Sequence, residues 1–198
     1  MISHKHRCVF IHIPKNGGTS IESALCRWNL TPSNYVELMG SKYHSKHHTL
    51  RSIKKDLRDK YFTFAFVRNP WDRAVSLYSY YRGGGNKKSD LRIVDKIPAD
   101  FKTFVMSTWN IIPQSHRKEQ FTYIKADDKI NVDYICKFEN MNEDWEYIAH
   151  KLKINEKLPH IRASKHLHYS TYYDDETREV ISKRYANDIK LFKYKFKN

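Results

Sequence analysis

The sequence predicts an α/β fold, and three observations carry that expectation. Two strand-like apolar runs, Cys8 to Ile13 (CVFIHI) and Tyr61 to Val67 (YFTFAFV), each break at a proline-containing turn and then open into a helical pattern. The chain has 198 residues, enough for one domain with a substantial core and too few for two ordinary ones. The expected organisation is a single domain over residues 1–198.

The first unit carries the most chemistry. After the apolar run, Pro14, Lys15, Asn16, Gly17 and Gly18 form a turn. Thr19 followed three residues later by Glu22 reads as a capping box, and Ile21, Ala24, Leu25 and Trp28 then share one helical face. Amides in the first turn of a helix have no intrahelical acceptor, so this arrangement suits an anion. Gly17 and Gly18 admit close approach, Lys15 adds a point charge, and Thr19 and Ser20 add hydroxyl donors. The lysine precedes the glycines, so the GxxxxGK[ST] loop of nucleotide hydrolases is absent. Two glycines before a helix are ordinary turn chemistry by themselves. Lys15 on one side and Thr19-Ser20 on the other favour the anion site.

The second unit repeats the plan. Arg68 follows the strand, Asn69 is a helix cap, Pro70 suits the first helical position, and Asp72 lies three residues after the cap. Trp71, Ala74, Val75, Tyr78 and Tyr81 or Arg82 form a core-facing stripe that leaves Arg68 and Ser76 for other work. A planar guanidinium holds phosphate oxygens with two parallel bonds, which lysine cannot do. Arg73 is expected to pair with an acidic neighbour or solvent. Between the two units, His47 and His48 precede a helix expected from about Thr49 to Asp59, outside its apolar stripe of Leu50, Ile53 and Leu57. Adjacent histidines are commonly surface residues; the alternative here is a general base, because neutral imidazole accepts a hydroxyl proton near neutral pH.

IPKNGGTS and FVRNPWDRAVSLYSYY together resemble the two nucleotide-binding motifs of sulfotransferases that use 3′-phosphoadenosine 5′-phosphosulfate (PAPS), in particular the carbohydrate, heparan 2-O-sulfotransferase-like branch. The resemblance extends from roughly Cys8 to Phe196. It implies a P-loop NTPase-like three-layer fold with a central, mainly parallel sheet flanked by helices. It also implies transfer of a sulfuryl group from PAPS to an acceptor hydroxyl of a saccharide or polysaccharide, releasing 3′-phosphoadenosine 5′-phosphate (PAP) without a metal. Lys15, Asn16, Gly17, Gly18, Thr19 and Ser20 would hold the 5′ end of the nucleotide, and Arg68 and Ser76 its 3′-phosphate. His48 would be the base, with His47 beside it in the acceptor site. Glu139, in the phrase CKFENMNEDW, would orient substrate or cap a helix. In the basic aromatic stretch Leu158 to Tyr173, Arg162, Ser164 and Lys165 would cover the nucleotide.

Further along, Phe101, Phe104, Val105 and Trp109 fall on one helical side. Phe121 to Lys125 and Asn131 to Phe138 read as strands of a hairpin around Asp127-Asp128. A helix follows with Trp145, Ile148, Ala149 and Leu152 inward, and Asp174 caps a last helix running to about Ile189. Variable loops at Asn29 to Ser45, Gly83 to Asp95 and Ile111 to Lys118 are candidates for the acceptor pocket.

The formal net charge of +14 indicates polyanionic partners. No zinc-finger or RNP-type signature points to nucleic acid. Cys8, Cys26 and Cys136 lack CxxC spacing and are expected to be buried thiols. No apolar stretch approaches a membrane span, and no signal-peptide pattern precedes the first strand, so a cytoplasmic location is expected. Two rivals stand beside the transferase. A kinase on a similar fold needs a GK[ST] loop and a magnesium-holding acid, and a basic binding module for nucleic acid or acidic polysaccharide needs only the charge.

Overall fold

The structure, a computed structural model, describes residues 1–26, 47–85, 90–159 and 166–197. The chain divides into two compact units, each made of two segments. One joins Met1–Val67 to Gln120–Arg162, and the other joins Arg68–Glu119 to Ala163–Asn198.

The first unit is organised on a four-stranded sheet of order β1, β2, β3, β6, comprising Ile2–Ser3, Cys8–Ile11, Phe62–Val67 and Tyr134–Lys137. A separate hairpin pairs β4, Lys125–Ala126, with β5, Lys129–Ile130. Strand β1 is antiparallel to β2, whereas β2, β3 and β6 run parallel. Ile11 lies opposite Ala65 and Val67 lies opposite Lys137, so the parallel strands end at one edge of the sheet. The protein is thus mixed α/β with a mainly parallel central sheet. All of β2 and all but the first residue of β3 are buried, which is why both read as nearly unbroken apolar runs.

Helix α1, Gly18–Cys26, follows β2; α2, Lys55–Lys60, precedes β3; α3, Pro70–Arg82, follows it; and α4, Met141–Leu152, follows β6. Side chains alternate along a strand, so Cys8, Phe10, Phe64, Phe66 and Cys136 share a face. They pack with Ile21, Ala24 and Leu25 of α1 and with Trp145, Ile148 and Ala149 of α4 in one core. Burial pushes the Cys136 thiol up, which suits a packing residue rather than a nucleophile. Trp28 lies outside the described residues.

In the second unit, the Asn69 side chain accepts from the Trp71 amide at 3.0 Å and Pro70 takes the first helical position, as the sequence predicts. Trp71, Ala74, Val75, Tyr78 and Tyr81 are buried. Arg73 departs from expectation. It is buried, donates to the His116 and Lys118 carbonyls at 3.0 Å each, and lies 5.6 Å from the Tyr185 ring centroid. Delocalised charge and five fixed donors let a guanidinium tie a loop from inside through backbone oxygens. Asp174 caps α5, Asp175–Arg184, through a reciprocal bond pair with Thr177, and the run then breaks at Tyr185 before α6, Ala186–Phe192.

Two further expectations change. The segment expected as one helix from Thr49 to Asp59 is a 3-10 turn at Leu50–Ser52 and then α2, because Ile53 and Lys54 are extended between them. Phe121–Ile124 is a helical turn, so the hairpin around Asp127-Asp128 uses shorter strands, while Tyr134–Lys137 joins the main sheet. Among the described residues no helix is long and apolar enough to cross a membrane.

Helix α4 ends in a left-handed Lys153 (φ 54°), with the Ile154 amide bonded to the Ala149 carbonyl at 2.8 Å and the Lys153 amide to that of His150 at 3.2 Å. This is the terminus at which glycine is preferred, because it lacks the Cβ that makes the left-handed region costly. Lys153→Gly should therefore raise unfolding free energy by about 0.5–1 kcal/mol, after the larger chain entropy of glycine is subtracted. Urea denaturation checks this; a fall in stability would show the cap to be held by the lysine side chain.

Candidate active site

The turn after β2 is tightly folded. Lys15 and Gly17 both have left-handed φ, 70° and 75°, while Asn16 between them does not. Alternation of this kind turns successive backbone N–H groups toward one side, the geometry of an anion-binding nest. A lysine held in the left-handed region is unusual and points to a constrained, functional turn. Asn16 holds the turn to its neighbour strand. It is buried, and its Nδ2 donates to the Phe66 carbonyl of β3 at 2.6 Å and to the buried Gln120 Oε1 at 2.8 Å.

Helix α1 opens at Gly18, earlier than a cap at Thr19 allows, and Glu22 does other work than the expected capping box. Its Oε1 accepts from His12 Nδ1 at 2.8 Å, with His12 6% and Glu22 4% exposed. The imidazole lies directly over the start of the helix, since a Cβ on Gly18 would fall 2.3 Å from His12 Cδ2. The third strand-to-helix junction also reaches the turn: a Cβ on Gly17 would fall 2.2 Å from Met141 Cε and 3.3 Å from Phe138 Cε2. Glu139 lies in that same junction, Phe138–Asn140, and is exposed.

Both histidines of the pair are half-buried. His47 Nδ1 is 3.2 Å from the His12 carbonyl, and the two rings meet edge to face at 4.8 Å between centroids. His48 Nε2 is buried. Burial, and after it the charge of the amino terminus, hold this imidazole below its ordinary pKa and so favour its neutral form.

In the second unit, Arg68 and Ser76 are 5% and 2% exposed. Arg68 Nε donates to Asp72 Oδ2 at 2.7 Å, one helical turn on, which fixes the plane of the guanidinium. Arg162, Ser164 and Lys165 lie outside the described residues. Among the described residues, no three of His, Cys, Asp and Glu are grouped as metal ligands.

The structure therefore brings Lys15, Asn16, Gly17, Gly18, Thr19 and Ser20 into one turn, sets His47 against the base of that turn, and places the Glu139 junction beside it. Sequence reasoning missed His12 and Asn16's anchoring bonds. The one available signal for His12 was a histidine within a strand-like apolar run, ten residues before a glutamate of the following helix. The donor set of the turn, which is amides, an ammonium and hydroxyls, with the Glu22 carboxylate engaged by His12, fits a phosphate or sulfate group.

An α/β protein with an anion-binding turn after a parallel strand is the class that this geometry defines. Within that class the chain belongs to the Sulfotransferase family, whose model it matches over residues 1–195. It is also similar to an uncharacterized protein of Archaeoglobus fulgidus, 30% identical over 129 residues that make up 65% of this chain and 92% of that protein. No solved structure matches the chain. Membership implies transfer of a sulfuryl group from a sulfate donor to a hydroxyl acceptor.

The contact between His12 and Gly18 is directly testable. Gly18→Ala should cost about 1–3 kcal/mol by forcing the buried ring aside. In a His12→Ala background the same change should cost clearly less, which a double-mutant cycle on thermal unfolding will read. Equal costs in both backgrounds would mean that the imidazole does not pack against the turn.

Proposed function

We propose that the protein moves a sulfuryl group from PAPS to a hydroxyl of a saccharide or polysaccharide. The observation that carries this reading is the strand, glycine turn and helix at Cys8–Cys26, whose donors suit the charged 5′ end of such a nucleotide, in a chain of the Sulfotransferase family. The proposal extends to a P-loop-like architecture acting as one transferase domain and to the heparan-type carbohydrate branch, both supported by the motif resemblance.

PAPS supplies an activated sulfuryl group whose leaving group is a phosphate. Lys15 and the amides of Gly17 to Ser20 stabilise negative charge that grows on that phosphate, and the hydroxyls of Thr19 and Ser20 add donors. Asn16 keeps the turn in place by its bonds to Phe66 and Gln120, so the donors are oriented before the ligand arrives. Arg68 and Ser76 take the 3′-phosphate, with Asp72 orienting the guanidinium. The adjacent His47 and His48 supply the group that accepts the hydroxyl proton. Glu139 contacts the acceptor, and Arg162, Ser164 and Lys165 are assigned to nucleotide binding by the motif resemblance alone.

The net charge of +14 favours a second reading, a basic module that binds acidic polysaccharide without transforming it. Calorimetric titration separates the readings. PAP should bind without magnesium and more tightly than ADP with magnesium, whereas a binding module would favour the polysaccharide over either nucleotide. Arg68→Ala should weaken PAP by about 10- to 100-fold, the worth of a charge-assisted contact, and leave adenosine 5′-phosphate nearly unchanged. Equal loss for both nucleotides would remove Arg68 from the 3′-phosphate. Lys15→Ala should lower transfer by about 100-fold or more.

A further inference from the structure

We propose that the edge of the sheet where the parallel strands begin, opposite the edge that carries the anion turn, is a docking surface for an acidic polysaccharide formed by Lys5, Arg7, Lys60 and Lys151; this rests on the polysaccharide-acceptor reading above.

Three connections meet at this edge. Residues 4–7 join β1 to β2, Lys60 and Tyr61 lead from α2 into β3, and α4 ends at Leu152. The Phe62 amide donates to the Arg7 carbonyl at 3.0 Å, which ties the first connection to the second. The Arg7 guanidinium carbon lies 5.6 Å from the Tyr61 ring centroid, and His4 Nδ1 lies 2.7 Å from the Tyr61 hydroxyl. Lys151 Nζ is 5.9 Å from the Phe62 centroid, which brings in the end of α4. His6 reports on the local charge. Its imidazole is held below its ordinary pKa first by burial and then by the Lys5 ammonium, with the Glu156 carboxylate opposing both.

A solvated basic face does not account for this arrangement. Lys60 and Lys151 stand in the last turns of α2 and α4, where cations offset the helix dipole, so those two have an ordinary structural reason. Lys5 and Arg7 have none, and they add like charge to the same edge. Lys5, Arg7, Lys60 and Lys151 are exposed and have no carboxylate partner among the described residues, whereas Lys55, Lys102 and Lys183 are ion-paired with carboxylates at 2.6, 2.8 and 2.7 Å. Arg7 is also held in the left-handed region, with φ 49°, a costly conformation for a residue with a side chain. Stacking on Tyr61 orients the guanidinium and leaves its edge donors for a carboxylate or sulfate.

The partner follows from the layout. A single phosphate or sulfate engages one or two such groups, but these cations come from the starts of two strands and the end of a helix, so the ligand repeats its charge. The six residues of β3 set this edge roughly 20 Å from the anion turn, which makes it a surface separate from the nucleotide site. Single-stranded nucleic acid is held largely by bases stacked on aromatic rings. Here the Tyr61 ring is covered by Arg7 and the Phe62 ring by Lys151, so charge is what the surface offers. An acidic polysaccharide, recognised by its carboxylates and sulfates, fits that offer.

The test is calorimetric titration of the full chain with a heparin hexadecasaccharide at about 0.15 M salt. The combined Lys5→Ala, Lys60→Ala, Lys151→Ala variant, whose three side chains are exposed, should bind the hexadecasaccharide about 10-fold or more weakly, the sum of three exposed ion contacts. Arg7→Gln, which keeps the length of the side chain and removes its charge, should add to that loss. A Lys55→Ala, Lys102→Ala, Lys183→Ala variant removes the same net charge elsewhere and should stay within about two-fold of the unaltered protein. Equal losses in the two triple variants would reduce the effect to overall charge and overturn the proposal. So would an unaltered affinity in the first, or tighter binding of a sixteen-residue oligothymidylate than of the hexadecasaccharide. PAP titration reports the parent reading separately. A chain that binds PAP but loses no heparin affinity in the first variant refutes the docking surface and leaves sulfuryl transfer standing. One that shows the predicted heparin losses but does not bind PAP supports the docking surface and refutes transfer.

Discussion

The parallel pairing of β2 with β3, with Asn16 bonded across it, is the constraint on which the rest of the site depends. Parallel strands must be connected by crossovers, and their turns into helices emerge at one edge of the sheet. The register from Cys8 opposite Phe62 to Ile11 opposite Ala65 brings the turn after β2 beside the end of β3, where the Phe66 carbonyl receives the Asn16 amide. That single side chain converts an irregular loop into a fixed one. Two of its residues, Lys15 and Gly17, then remain in a backbone region that costs energy for lysine and is open to glycine.

The second consequence is that charge is buried close to the turn. The pair of His12 and Glu22 is almost inaccessible, yet it sits under a loop whose other groups are hydrogen-bond donors. Without its partner, the carboxylate would oppose an anion at the start of α1; bonded to His12 it is oriented away from that work. Gly18 follows from the same packing, because the position directly above the ring has no room for a Cβ. Gly18, His12 and Glu22 therefore form one mechanical unit rather than three separate requirements.

Much of this was legible in the sequence, for local reasons. Buried parallel strands read as unbroken apolar runs, Pro14 with Gly17-Gly18 marks a turn, and Asn69-Pro70 and Asp174 mark helix starts, so these features appeared where expected. Other features depended on contacts that local pattern does not encode. Glu22 stands three residues after Thr19, which satisfies a capping box on paper, and only the packing shows its carboxylate turned to His12. Leu50, Ile53 and Leu57 have helical spacing, but extended Ile53 and Lys54 divide the segment. Phe121 to Ile124 is aromatic and β-branched, and over so short a run the strand and helix periods are not distinguishable. His47 and His48 are equivalent by spacing. The resemblance favours His48, and the contact of His47 with the His12 carbonyl, contributed by a residue far away in sequence, is one that spacing does not encode.

The central claim is that the turn from Lys15 to Ser20 is built to receive the 5′ end of a doubly phosphorylated adenosine nucleotide. The most direct measurement is an amide NMR titration with PAP in the absence of divalent metal. The account predicts saturable shifts concentrated at Gly17, Gly18, Thr19 and Ser20, lost in Lys15→Ala. Shifts confined to surface lysines, or appearing at the turn only with ATP and magnesium, would contradict it.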